Sequence, residues 1–268
     1  MSIGDQRVLG RTGLRVGRLG LSSGYGAPAE AMEEAFERGC NYFYWGSFRR
    51  EGLARAVRNI CSRGKRDDLI VVIPCFTRLA SHMEYSYAGA LKRLGLHYGD
   101  VLLLGWYNSR PPQRIIDRAL RMKEYGLCKY IALSGHNRKL FGELAKEGIF
   151  DLFHIRYNAV HSGAEQDTFP FLGEIKEDKR PGVVTYTATC WGRLMNPNKM
   201  PPGEKTPTPS DCYRFVLSHP SVDMCLVGAK NAGELRENLK VLDRGAMTEE
   251  ELGWMRRVGG HLYGGGKG

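Results

Sequence analysis

The sequence predicts an α/β protein built as a single (β/α)8 TIM barrel, with an N-terminal β-hairpin cap and an extra C-terminal helix. Three observations predict it. Eight short apolar runs recur along the chain, stretches with helical apolar spacing separate them, and the 268 residues match the roughly 250 that such a barrel needs. Buried parallel strands read as continuous apolar runs, and the crossovers between them are normally helical. Residues 1–268 are accordingly read as one domain.

The elements follow in order. In VLGRTGLRVGRLGL, Gly13 separates two short apolar segments, the pattern of a hairpin closing the lower mouth of a barrel. The strand runs are residues 18–21, 42–44, 69–73, 101–104, 130–133, 152–155, 183–186 and 224–227, with LIVVI and VLLL the most continuous. Helical spacing marks residues 31–39, 52–61, 83–94, 115–125, 141–147, 210–217 and 232–242. The Pro-rich stretch 196–210 reads as a loop. Thr248 with Glu251 three residues on is a capping-box signature that opens the extra helix. Residues 264–268 read as a frayed end.

Composition narrows the function classes. With 42% hydrophobic, 25% charged and 10% aromatic residues, disordered, collagen-like and coiled-coil chains are excluded. The formal charge of +10 could draw anionic partners, but the basic residues are spread along the chain without a dense tail. No nucleic-acid or membrane partner is therefore expected. The seven cysteines are scattered, with no Cys-x-x-Cys pair suited to zinc or dithiol chemistry, and are read as reduced thiols with no metal site. The N-terminus lacks the apolar stretch of a signal peptide, and no run approaches the ~18 residues of a membrane helix. A cytoplasmic location is the expectation.

Ligands of such barrels bind at the carboxyl ends of the strands, which brings Tyr44, Cys75, Gly105, Ser134, His154 and Tyr186 to attention. The same segments carry a resemblance. LGRTGLRVGRLGL, GCNYFY (39–44), DVLLLGW (100–106), FDLFHIRYN (150–158) and VGAKNAGELRENL (227–239), in this order and spacing, resemble the aldo-keto reductase family from Val8 to about Tyr263.

The resemblance implies NADP(H) bound in extended form, without a Gly-rich fingerprint. Gly228, Lys230 and Asn231 match the phosphate-binding junction after the eighth strand, and Glu234, Glu237 and Asn238 match adenine-facing helix positions. A helix N-terminus suits an anion, and Lys230 would meet a 2′-phosphate. Tyr186 matches the aromatic under the nicotinamide and Ser134 a partner of its carboxamide. Read without the resemblance, Tyr186 is an ordinary strand-end tyrosine and Ser134 a helix cap. His154 stands where the family usually has Gln, and Gly135 where it usually has Asn.

The family's catalytic Asp, Tyr, Lys and His positions are all altered. The Asp-Thr-Ala after the second strand reads Tyr44-Trp45-Gly46, the lysine aligns with Cys75 and the histidine with Gly105. SFRRE shortens the loop of the tyrosine, leaving Phe48 or Arg49 as its nearest counterpart. Losing one partner of a buried ion pair strands a charge, whereas replacing both can be neutral, so Tyr44 and Cys75 read as a joint replacement. Ordinary carbonyl reduction is not expected.

Candidate replacements remain open at this level. Tyr44 is a poor acid unless a cation such as Arg49 or Arg156 lowers its pKa. Cys75 is an activated thiol or an apolar filler. His136, and likewise His161, is an acid–base group or a structural histidine. Arg156 shares a side of its strand with His154 and needs an anionic partner, either a structural carboxylate or a substrate anion. Trp45, Trp106, Tyr107 and Trp191 either line a mouth for a flat, unidentified small-molecule substrate or plug it. Three readings follow: an atypical NADP-dependent oxidoreductase, an inactive nicotinamide-nucleotide sensor or scaffold, and a non-redox enzyme built on Cys75, His154 and Arg156.

Overall fold

The computed structural model describes residues 3–47 and 51–265; Phe48 and Arg49 lie outside them. Strands β1 (Arg7–Val8) and β2 (Arg15–Val16) pair antiparallel. Eight parallel strands then close a barrel in chain order: β3 (Leu19–Ser22), β4 (Tyr42–Tyr44), β5 (Ile70–Cys75), β6 (Gly99–Leu104), β7 (Cys128–Gly135), β8 (Leu152–Arg156), β9 (Gly182–Tyr186) and β10 (Met224–Val227). Closure is made by β10 against β3, with Leu226 opposite Gly20. The hairpin seals the lower end: Leu9 and Val16 are fully buried against an interior cluster with Tyr42, Val72, Leu103 and Met224.

Around the barrel lie α1 (Ala29–Glu37), α2 (Gly52–Ser62), α3 (Ala80–Leu94), α4 (Gln113–Glu124), α5 (Arg138–Glu147), α6 (Ala164–Asp167), α7 (Phe169–Gly173), α8 (Pro209–Ser218), α9 (Ala232–Leu239) and α10 (Glu249–Gly264). The capping box opening α10 is formed: Glu251 N donates to Thr248 Oγ1 and Thr248 N to Glu251 Oε2. A second one, Thr208 with Asp211, opens α8 inside what reads from sequence as loop. The α9 spacing continues past Leu239 only as a 3-10 turn over residues 240–243. Gly264 ends α10 rather than beginning a frayed tail. The short helices α6 and α7 carry too few turns for a period to show. No helix among the described residues is long and apolar enough to cross a membrane.

Two features of the barrel position the site. Side chains alternate between interior and helix layer, so on β5 Ile70 and Val72 point inward while Val71, Ile73 and Cys75 pack against helices. The lower end, in contrast, is where the buried carboxylates gather. Asp100, Asp151 and Asp223 each accept a backbone N–H from a neighbouring strand, those of Val71, Ile131 and Val183. Each also meets an arginine, Arg66 at 2.9 Å, Arg11 at 3.0 Å and Arg180 at 2.7 Å. A buried carboxylate held by a backbone donor and a guanidinium satisfies the requirement that charge in a low-dielectric layer be paired. The carboxyl-end mouth is left with a different polarity.

Candidate functional site

At that mouth a cavity of about 700 Å³ runs from the barrel axis to the start of α9. Its floor is made by Tyr44, Leu103, His154, Tyr186 and Leu226, its far end by Gly228, Lys230, Glu234, Glu237 and Asn238, and its walls include Ser134, His136, Trp106 and Trp191. These are largely the residues singled out from sequence, because each ends an inward-facing strand position or follows it.

His154 anchors the floor. Its Nε2 lies 2.8 Å from the Tyr42 hydroxyl, and its ring centroid lies 6.0 Å from that of Tyr42 and 5.8 Å from that of Tyr44. Tyr42 is wholly enclosed and burial pushes its pKa well above the ordinary value. It keeps its proton, and with no other partner among the described residues it must donate it to Nε2; the reverse arrangement would leave a buried O–H unmade. The imidazole proton therefore sits on Nδ1. Burial lowers the His154 pKa to about 3, so the ring is neutral.

The two floor phenols are weak acids. Burial, reinforced by their mutual proximity, raises Tyr44 to about 12; burial raises Tyr186 to about 12 against an opposing effect of Arg156. No cation among the described residues offsets the desolvation of Tyr44. Cys75, where the resemblance places a lysine, does not face Tyr44. It belongs to the helix layer, it does not line the cavity, and burial raises its thiol pKa. By strand alternation the inward position is Pro74. Tyr44 and Cys75, expected to act as a joint replacement, therefore do not face each other.

Gly105, where the resemblance places a histidine, is overlain by Phe76: a Cβ there would overlap the Phe76 ring. That ring lies 4.6 Å from the Trp106 ring centroid. Ser134 is not a helix cap; its Oγ accepts from Trp106 N at 3.2 Å and its carbonyl from Tyr107 N at 2.8 Å. It holds Trp106, 65% exposed and in left-handed backbone geometry at φ 60°, over the cavity. His136 is exposed at the wall, its backbone N–H held by Asn108 Oδ1; burial and then Arg156 lower its pKa.

At the far end Asn231 caps α9, accepting from Glu234 N at 2.9 Å. Glu234 turns its carboxylate back to the Lys230 backbone N–H, also at 2.9 Å. The Lys230 ammonium makes no ion pair among the described residues. Gly228 is covered by Tyr25, whose ring a Cβ at that position would strike.

Sequence reasoning missed Tyr25, Tyr213 and, apart from Trp191, the 187–192 loop, which also line the cavity. In that loop Thr187, Cys190 and Trp191 have φ of 62°, 49° and 53°, a region L-residues seldom occupy. The buried Asn158 holds it, donating to Thr187 O at 2.8 Å and accepting from the Val160 and His161 backbones. A Gly flanking Tyr25 in SGYGA was the available signal for that residue; the loop, rich in Thr and without Gly before 192, offered none.

No protein-family model matches the chain, and no curated protein matches it. Among solved structures, the aldo-keto reductase AKR11C1 from Bacillus halodurans superposes with a TM-score of 0.76 in both its holo and apo forms. Sequence identity is 18% to the holo form and 19% to the apo form, over 95% of this chain and 96% and 95% of theirs. The fold is that of aldo-keto reductases.

Proposed function

We propose that the protein binds a nicotinamide dinucleotide, NADP(H), along this cavity and serves as an atypical oxidoreductase that does not use a tyrosine proton donor. The observation that carries the reading is the cavity itself, long and continuous from an aromatic floor to the capped start of α9. The chain fits such a ligand at three points. Lys230, which makes no ion pair among the described residues, and the opening N–H groups of α9 that Asn231 and Glu234 leave unengaged suit phosphate oxygens. Tyr186 and Trp106 offer flat faces, and the His154 Nδ1–H is a donor for an amide or carbonyl oxygen.

When bound, the dinucleotide supplies a hydride. The residues present orient the ligand and exclude water from the floor, but neither floor phenol, Tyr44 or Tyr186, nor Tyr42 beneath them is poised to lend a proton near pH 7. That property favours a second reading, a dinucleotide-holding sensor or scaffold, on the specific ground that Tyr44 is displaced to about 12 and His154 to about 3. Titration of the intrinsic tryptophan fluorescence with NADPH and NADH tests binding. A carbonyl-substrate screen following reduced-cofactor absorbance then separates the readings: turnover supports the oxidoreductase, binding without turnover the sensor, and no binding of either nucleotide removes both.

A further inference from the structure

Arg156 stands apart from the other enclosed arginines. Arg11, Arg66, Arg180 and Arg214 each meet a carboxylate at 3.0 Å or less, and Arg18 donates to the Leu217 and Val222 carbonyls. Arg156 is half-buried at the carboxyl end of β8, opposite Tyr186, on the inward side shared with His154. It makes neither hydrogen bond nor ion pair with any described residue. The first two carboxylates that follow Arg156 in the chain are already engaged: Glu165 accepts from Tyr157, and Asp167 from Arg138. Among the described residues no carboxylate pairs with Arg156.

We infer that Arg156, which is not itself among the lining residues but stands at the edge of the cavity opposite the lining residue Tyr186, is an anion-binding residue, taking the carboxylate or phosphate oxygens of a ligand that reaches out of the cavity. A guanidinium partly withdrawn from water gains most from a bidentate oxyanion. Its charge is felt at the mouth: burial first and then Arg156 lower the pKa values of His136 and His161, with Arg193 and Arg138 adding to the effect at His161. This deepens the proposed function by making the second ligand anionic, and it rests on the cavity being the ligand site.

The test uses benzoate and its neutral counterpart benzamide, titrated calorimetrically into the wild-type protein, Arg156→Met and Arg156→Lys, with and without saturating NADPH. Benzoate is expected to bind at least tenfold more tightly than benzamide, with that preference lost in Arg156→Met and partly kept in Arg156→Lys. Benzoate binding that survives NADPH assigns Arg156 to a substrate anion. Benzoate displaced by NADPH, with NADPH itself weakened in Arg156→Met, assigns it to the dinucleotide's own phosphates. Equal binding of benzoate and benzamide to the wild-type protein overturns the inference, whether or not Arg156→Met folds. NADPH failing to bind while benzoate still depends on Arg156 would sink the dinucleotide reading and leave the anion site standing.

Discussion

The Tyr42 hydroxyl donates to His154 Nε2 at 2.8 Å directly beneath the cavity, and so decides which atom the imidazole shows to a ligand. Two residues 112 positions apart are brought together because β4 and β8 face each other across the barrel interior. The bond converts an ambivalent histidine into a fixed donor.

Removing that bond by Tyr42→Phe changes little volume but leaves a buried ring nitrogen without its donor. Such an orphaned acceptor costs about 1–3 kcal/mol. The double variant Tyr42→Phe/His154→Leu is expected to cost less than the sum of the single variants, since no polar atom is then stranded. Urea unfolding of the four proteins checks this; strict additivity would mean that the two side chains are not coupled.

Acid pH is expected to act on His154 through the unfolded chain. Its folded pKa of about 3 lies below the ordinary imidazole value of 6.5. Above pH 6.5 both states are neutral and nothing is lost. As pH falls from 6.5 towards 3 the unfolded chain takes up a proton that the folded one refuses, so stability declines by up to about 1.4 kcal/mol per pH unit. His136, His161 and His219 are also lowered by burial, so the wild-type slope contains their shares. The difference between the wild type and His154→Gln isolates one group: the variant should lose less stability between pH 6.5 and 4. Parallel stability curves would contradict the assignment.

Cys75→Ala is expected to leave NADPH binding within twofold, because the thiol points into the helix layer and away from the cavity. The cost should appear as stability, roughly 1–2 kcal/mol for the void left beside Ile73 and Leu104. Native alkylation by iodoacetamide at pH 7 should be slow, the thiol being buried and its pKa raised. Rapid, stoichiometric modification of Cys75 would restore the non-redox reading.

The barrel was legible because its strands are buried on both faces and so print as unbroken apolar runs, and because Thr248 and Glu251 announce α10 by a local bond. What side faces which layer was less legible. LIVVIPC is apolar throughout, so the one-residue difference that sends Pro74 inward and Cys75 outward has no polar alternation to mark it. Ser134 illustrates another limit: its role is to hold Trp106, a contact between adjacent strand ends that neither segment encodes alone. The Tyr42–His154 bond was invisible for the same reason, and Arg156 was visible only as a question, since whether a carboxylate meets it depends on side-chain placement.

The start of α9 sets two opposite charges against each other, and their balance is testable. Lys230 carries an unpaired ammonium, while Glu234 has already placed a carboxylate on the Lys230 amide, an anion of the chain's own at a spot a phosphate would seek. Both side chains are solvent-exposed, so each effect is modest, roughly two- to fivefold in affinity from interactions of this kind. Lys230→Ala should weaken NADPH by that factor and leave NADH nearly unchanged, because only the former carries the 2′-phosphate. Glu234→Gln should tighten NADPH relative to NADH, since the amide oxygen still accepts from the Lys230 N–H but no longer repels phosphate. Raising salt from 50 to 500 mM should shrink both differences. Fluorescence titrations of the two nucleotides check these outcomes, and an NADPH affinity indifferent to both substitutions would place the phosphate away from α9.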